Sequence, residues 1–257
     1  FLFELRFSYE IARLGLAPEH EYKTGIDDTS VDFRFATSTS GSAWNIELVS
    51  LDRSEAVGKA TIVMPEAPGV QIATLNLGLR GDPYEDQRQI SNKQTPEHEM
   101  LRAISCLEKK VYDARNERPI KFPIPDNQTI NMLLVDARCY LGDGRVDRDD
   151  CRQIVGGSET VRHDFHVFFN PETGKPIKGI WSANNDRPGA RFAKERVHVI
   201  GFVHEEAYED DEIREVTVLF QNPHLPCDLT TYPLRWPTPD GQPRTKLRQT
   251  NALWNDG

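Results

Sequence analysis

Asp32 and Glu47 are the residues whose type and placement point most directly to chemistry. Each is an acid inside an apolar, strand-like segment, SVDFRFA and AWNIELVSL, and 14 residues separate them. Acids are depleted in strands. Side chains alternate along a strand, so Val31, Phe33 and Phe35 share one face and leave Asp32 and Arg34 on the other. Trp44, Ile46 and Leu48 likewise share a face, with Asn45, Glu47 and Val49 opposite. A hairpin turn over TSTSGS, residues 37–42, would bring the two carboxylates together at one edge of a small sheet. Carboxylates converging in this way repel each other unless a proton or a divalent cation lies between them. The expected chemistry is that of a hard-metal site. The competing reading is a pair of solvated acids on an exposed sheet face.

The surrounding elements must position this pair. Phe3, Phe7, Ile11 and Leu14 fall at helical spacing and Gly15 is a natural stop, so the chain opens on a helix. LAPEHEYKTG reads as a first strand, followed by the two acid-bearing strands. KATIVMP and VQIATLNLGL suggest a hairpin inserted around residues 52–90, and GDPYEDQRQISNKQ reads as loop. Thr95, Pro96 and Glu97 make a good helix start, and the helix is expected to run to about Arg115 with Met100, Ile104, Leu107 and Val111 inward. NMLLVDARCY has the nearly continuous apolar run of a buried central strand. DRDDCRQIVGG reads as a short helix capped by Asp147. DFHVFFN, RVHVIGFVHE and EVTVLFQNP read as strands, and the last thirty residues as an extended tail. The fold class is therefore α/β: a core over 1–157, then a β-rich extension over 158–257 packed on it.

A helix, three strands, a helix and a buried strand, with acids on strands two and three, resembles the restriction-endonuclease-like PD-(D/E)XK superfamily over roughly residues 1–140. The resemblance implies a nuclease that hydrolyses phosphodiester bonds. Asp32, Glu47 and the Leu48 carbonyl would hold Mg²⁺ or Mn²⁺, and Glu4, eleven residues before Gly15, would match an acid on the first helix. Glu10 competes for that place. Two departures stand out. Val31 occupies the position of the family's proline, and Val49 replaces the lysine of E-x-K. Some members move that cation to the following helix, which here carries Lys109 and Lys110. At about 100° per residue, Lys110 lies at the edge of the inward face and Lys109 points away. Lys110 is thus the expected cationic residue. The implied substrate is DNA, with RNA second, and a homodimer is left open. A catalytically silent member that binds nucleic acid or a protein is the alternative.

The remaining features bound this reading. Arg187, Arg191, Lys194 and Arg196 form a basic cluster beside Trp181 that could touch a phosphate backbone, although a solvated loop explains it as well. A net charge of −9 argues against a broad basic footprint. His163 and His166 have opposite strand parity, and with His198 and His204 they read as structural histidines rather than a Zn²⁺ or Fe²⁺ site. GDGRVDRDD fails the calcium-loop pattern because Arg145 occupies a ligand position. Cys106, Cys139, Cys151 and Cys227 show no metal-ligand spacing and suggest free thiols in a reducing, cytoplasmic compartment. No apolar run is long enough to span a membrane. The chain starts at Phe1 without a signal-peptide pattern, as a fragment or ordered core would.

Overall fold

Every residue of AWNIELV in the strand Ala43–Ser50 is buried, which requires that both faces of this strand be covered. The same holds for the strand Thr129–Asp136, buried from Ile130 onward. In a computed structural model of the chain these two lie side by side at the centre of a six-stranded mixed sheet. The structure describes residues 2–36, 41–51, 61–63, 73–75, 96–126, 128–137, 148–160, 168–203, 217–227, 236–237 and 243–244.

The elements in chain order begin with α1 (Leu2–Arg13), β1 (Glu19–Lys23), β2 (Ser30–Ala36) and β3 (Ala43–Ser50). They continue with β4 (Thr61–Val63), β5 (Ala73–Leu75), α2 (Pro96–Lys109), β6 (Tyr112–Asp113), β7 (Arg118–Pro119) and β8 (Thr129–Asp136). Then come α3 (Arg148–Gly156), a 3-10 turn at Ser158–Thr160, α4 (Pro188–Arg196), β9 (Val199–Val203) and β10 (Thr217–Gln221). A last ladder pairs β11 (Trp236–Pro237) with β12 (Pro243–Arg244). The main sheet runs β1-β2-β3-β8-β9-β10. Its outer pairs are antiparallel, while β3, β8 and β9 are parallel.

Parallel neighbours need crossovers, and here the crossovers carry helices. Met100, Ala103, Ile104 and Leu107 of α2, Cys151, Ile154 and Val155 of α3, and Ala193 of α4 share one core with Val49, Leu133, Ile200 and Phe202. On the other face Phe3, Phe7 and Ile11 of α1 pack with Phe33, Phe35, Trp44, Ile46 and Leu134. Gly15, at φ +73°, ends α1 with the bonds Gly15 N–H to Ala12 O and Leu16 N–H to Ile11 O, a Schellman stop.

Several expectations need correction. α2 ends at Lys109, not near Arg115. Asp113 accepts bonds from the Arg115 and Asn116 N–H groups and from the Asn116 amide, and this turn replaces further helix. Residues 188–196 form α4 rather than a loop. Val31 joins the core under α2, whereas Phe33 and Phe35 join the core under α1, so the alternation in β2 breaks at Asp32. Of DFHVFFN, only Phe168–Asn170 is described, and Phe169 makes a single bridge to Pro176. β9 and β10 belong to the main sheet itself. β4 and β5 pair as the expected inserted hairpin. The expected caps Thr95 and Asp147, Cys139, the turn residues 37–40, and His163, His166 and His204 lie outside the described residues. Cys106, Cys151 and Cys227 are free thiols.

Candidate functional site

The β2–β3 ladder runs from Ala36 opposite Ala43 to Phe33 opposite Ile46 and stops there. Beyond it, the Leu48 N–H donates to Asp32 Oδ2 at 2.6 Å, so a carboxylate stands where a strand carbonyl would otherwise accept. This is the break in alternation at Asp32. It brings the Asp32 carboxylate to β3 one residue past Glu47, close enough for its charge to act on Glu47.

Glu47 is fully buried on the face of β3 that carries Asn45 and Val49. Lys110 Nζ donates to its Oε1 at 2.7 Å, and Lys121 Nζ to the same oxygen at 2.6 Å. Glu47 Oε2 is buried with no hydrogen-bond partner among the described residues. Burial pushes the Glu47 pKa above its ordinary value and Asp32 adds to the push, while the two ammonium groups oppose it.

Both lysines are delivered by the early end of α2. Past Lys109 the chain forms the β6–β7 hairpin, with Tyr112 opposite Pro119 and Asp113 opposite Arg118. The Ile120 N–H donates to Val111 O at 3.0 Å, which extends the pairing by one step. Lys110 and Lys121 thus stand just before and just after this hairpin, and both reach Glu47. Lys121 was not among the sequence candidates because a helix running to Arg115 leaves no hairpin to carry it back. Its backbone is unusual. It has φ +65°, and the Phe122 N–H donates to Ile120 O across it at 2.7 Å, forming a γ-turn of the strained hand. The Lys121 N–H donates to Thr29 Oγ1 at 2.9 Å and its carbonyl accepts from Thr24 Oγ1 at 2.5 Å, so the β1–β2 turn holds it from both sides.

Val49 is 3% exposed in the core under α2. The position of an E-x-K lysine is thus a packing position here, and the cations come from the hairpin instead.

Glu4 is engaged with His20. Its Oε1 pairs with His20 Nε2 at 2.7 Å, and this bond, reinforced by Asp32 among other acids, raises the His20 pKa. Glu10 is buried on α1. Among the described residues no group of three or more His, Cys, Asp or Glu side chains gathers as a metal cage. Mg²⁺ does not require one, because it is commonly held by one or two carboxylates, with waters and substrate oxygens completing its shell. The donor set of Asp32 with the unpartnered Glu47 Oε2 fits such an ion.

The basic cluster is largely engaged within the chain. Arg187 pairs with Glu108 at 3.0 Å. Lys194 Nζ donates to the carbonyls of Ser182, Ala183 and Asn185 at 3.2, 3.3 and 2.9 Å. Arg191 is exposed, with its guanidinium over the Phe192 ring. Phe192 stacks on Tyr112, and Arg196 donates to Phe122 O at 2.9 Å, so α4 braces the hairpin that carries the lysines. His198 is buried and structural: its Nδ1 accepts from the Asn131 N–H at 3.0 Å. No described helix is long and apolar enough to cross a membrane.

In comparisons with known proteins the chain matches no family model, no curated protein and no solved structure. The functional reading rests on the site itself.

Proposed function

We propose that this chain is a metal-dependent nuclease with a restriction-endonuclease-like core, hydrolysing phosphodiester bonds in DNA, with RNA as the second substrate class. One observation carries the reading. Two acids meet where β2 and β3 part, one of them has a lysine on one oxygen, and its other oxygen is buried without a partner. Asp32, Glu47 Oε2 and the Leu48 carbonyl would hold Mg²⁺ or Mn²⁺. The ion would supply a bound water of lowered pKa and neutralise charge developing on the phosphate. Lys110, fixed on Glu47 Oε1, supplies a positive charge beside the phosphate oxygens where the transition state gathers negative charge. Glu4 acts at one remove, by holding His20 beside Asp32.

The core of Val49 favours a second reading, a silent member of the same fold that binds nucleic acid or a protein partner. Plasmid and single-stranded DNA incubated with Mg²⁺ or Mn²⁺ separate the two. The nuclease reading expects cleavage by the wild type and a loss of about a hundredfold or more in Asp32→Ala and Glu47→Ala, with folding checked by circular dichroism. Cleavage that survives both substitutions removes these acids from the reaction. A wild type that cuts neither substrate favours the silent form.

A further inference from the structure

We propose that Lys110 and Lys121 form a two-lysine clamp for one phosphate group of the nucleic-acid backbone, with Lys121 as a phosphate-contacting residue in its own right. The proposal rests on the nucleic-acid substrate read above, and extends it to a residue with no counterpart in the E-x-K pattern.

Three observations carry it. The first is convergence: the β6–β7 hairpin returns the chain so that Lys110, before it, and Lys121, after it, reach the same carboxylate. Both ammonium groups converge on one carboxylate oxygen, at 2.7 and 2.6 Å. Two ammonium groups share that one oxygen, so Glu47 can neutralise at most one of them and the group favours a second anion. The second is access. The lysine side chains are 35% and 22% exposed, so part of each lies at the surface beside the buried Glu47. The third is the backbone. Lys121 has a positive φ, which glycine adopts without penalty and lysine does not. Both of its backbone polar groups are also bonded to threonine hydroxyls of the β1–β2 turn. A lysine held in a glycine conformation points to a requirement for its amine rather than for its backbone.

The backbone also supplies the test. Lys121→Gly deletes the amine and relieves the strain, while Lys110 still pairs with Glu47 Oε1, so it should keep a cooperative melt. Lys121→Met keeps the stem and removes only the charge. Binding of a short labelled DNA duplex is measured by fluorescence anisotropy in EDTA, from low to moderate salt. Lys109→Met, at the exposed end of α2, controls for simple charge loss. The clamp predicts measurable wild-type binding at low salt. In both Lys121 variants and in Lys110→Met, the slope of log affinity against log salt should fall by about one. Lys109→Met should change it less. The Lys121 variants should also lose about a hundredfold in Mg²⁺-dependent cleavage. A salt slope unchanged in Lys121→Gly overturns the clamp, as does a wild type that binds no duplex at low salt. Failure of the nuclease reading looks different: no cleavage by the wild type, with the slope still falling in the Lys121 variants.

Discussion

At the scale of single residues, buried polar groups here act through their partners. His198 shows this best. It lies 5% exposed just before β9 and beside β8, and its Nδ1 accepts from the Asn131 backbone. Its ring is therefore the neutral tautomer with the proton on Nε2. Burial lowers its pKa from 6.5 to about 4, against a small opposing effect from Asp126. A histidine kept neutral in the fold but free to protonate when unfolded contributes stability above the unfolded pKa and loses it as pH falls toward the folded one. Between pH 7 and pH 4 that loss should approach about 3 kcal/mol, at about 1.4 kcal/mol per unit. His198→Asn keeps an acceptor near the place of Nδ1 and removes the titration. Urea denaturation across this range should show a pH slope clearly flatter in the variant than in the wild type. Parallel curves would mean that His198 does not titrate with unfolding. The residue scale was also where the sequence was most legible. Asp32 and Glu47 stood out because an acid inside an apolar strand demands a reason, and His198, read as structural, is buried and bonded to a backbone N–H.

At the scale of elements, legibility depended on where helices end and how closely they pack. Lys121 could not be found because apolar spacing continues through Val111 and hides the stop at Lys109. The turn built on Asp113 outcompetes the helix, and only then does the chain return Lys121 to Glu47 beside Lys110. α4 was missed for a different reason. PGARFAKER buries itself through Gly189, Ala190, Ala193 and one arginine, Arg196, and through no large apolar side chain. A Cβ on Gly189 would lie 2.6 Å from Glu108 Cβ, so a small residue is what permits α4 to approach α2. What ties these elements to the sheet is Asn131. Its side chain accepts from Asn45 Nδ2 at 2.9 Å and donates to the carbonyls of Pro123 and Arg196 at 3.1 and 2.8 Å. It thus links β3, β8, α4 and the segment just past Lys121. Asn131→Ala strands three polar groups, two of them buried, and should cost about 2 kcal/mol or more in chemical denaturation. A cost under about 1 kcal/mol, the worth of an ordinary exposed bond, would mean that water or rearrangement replaces the link.

At the scale of the whole molecule, the question is whether residues 158–257 are an appendage or part of the core. Sequence order suggests an appendage, because the element pattern of the resemblance is complete by about residue 140. The sheet argues otherwise. β9 pairs in parallel with β8 from Met132 opposite Val199 to Asp136 opposite Val203. The core under α2 also draws Ile177, Ile180, Trp181, Val197, Ile200, Phe202 and Phe220 from this half, all of them buried. A chain cut after residue 157 would leave β8, apolar on both faces, as an unpaired edge. It would also strip the packing from α2 and α3. The same cut removes Arg196 and His198, which hold Phe122 and Asn131, and with them the brace behind Lys121. Residues 1–157 alone should therefore lack a cooperative thermal transition and show poor dispersion in amide NMR spectra, while the full chain unfolds the sheet in one step. A truncated chain that melts cooperatively and keeps its dispersion would establish the first half as an autonomous folding unit. The opposite result makes the candidate site a product of both halves, with the acids supplied by the first and their supporting lysines braced by the second.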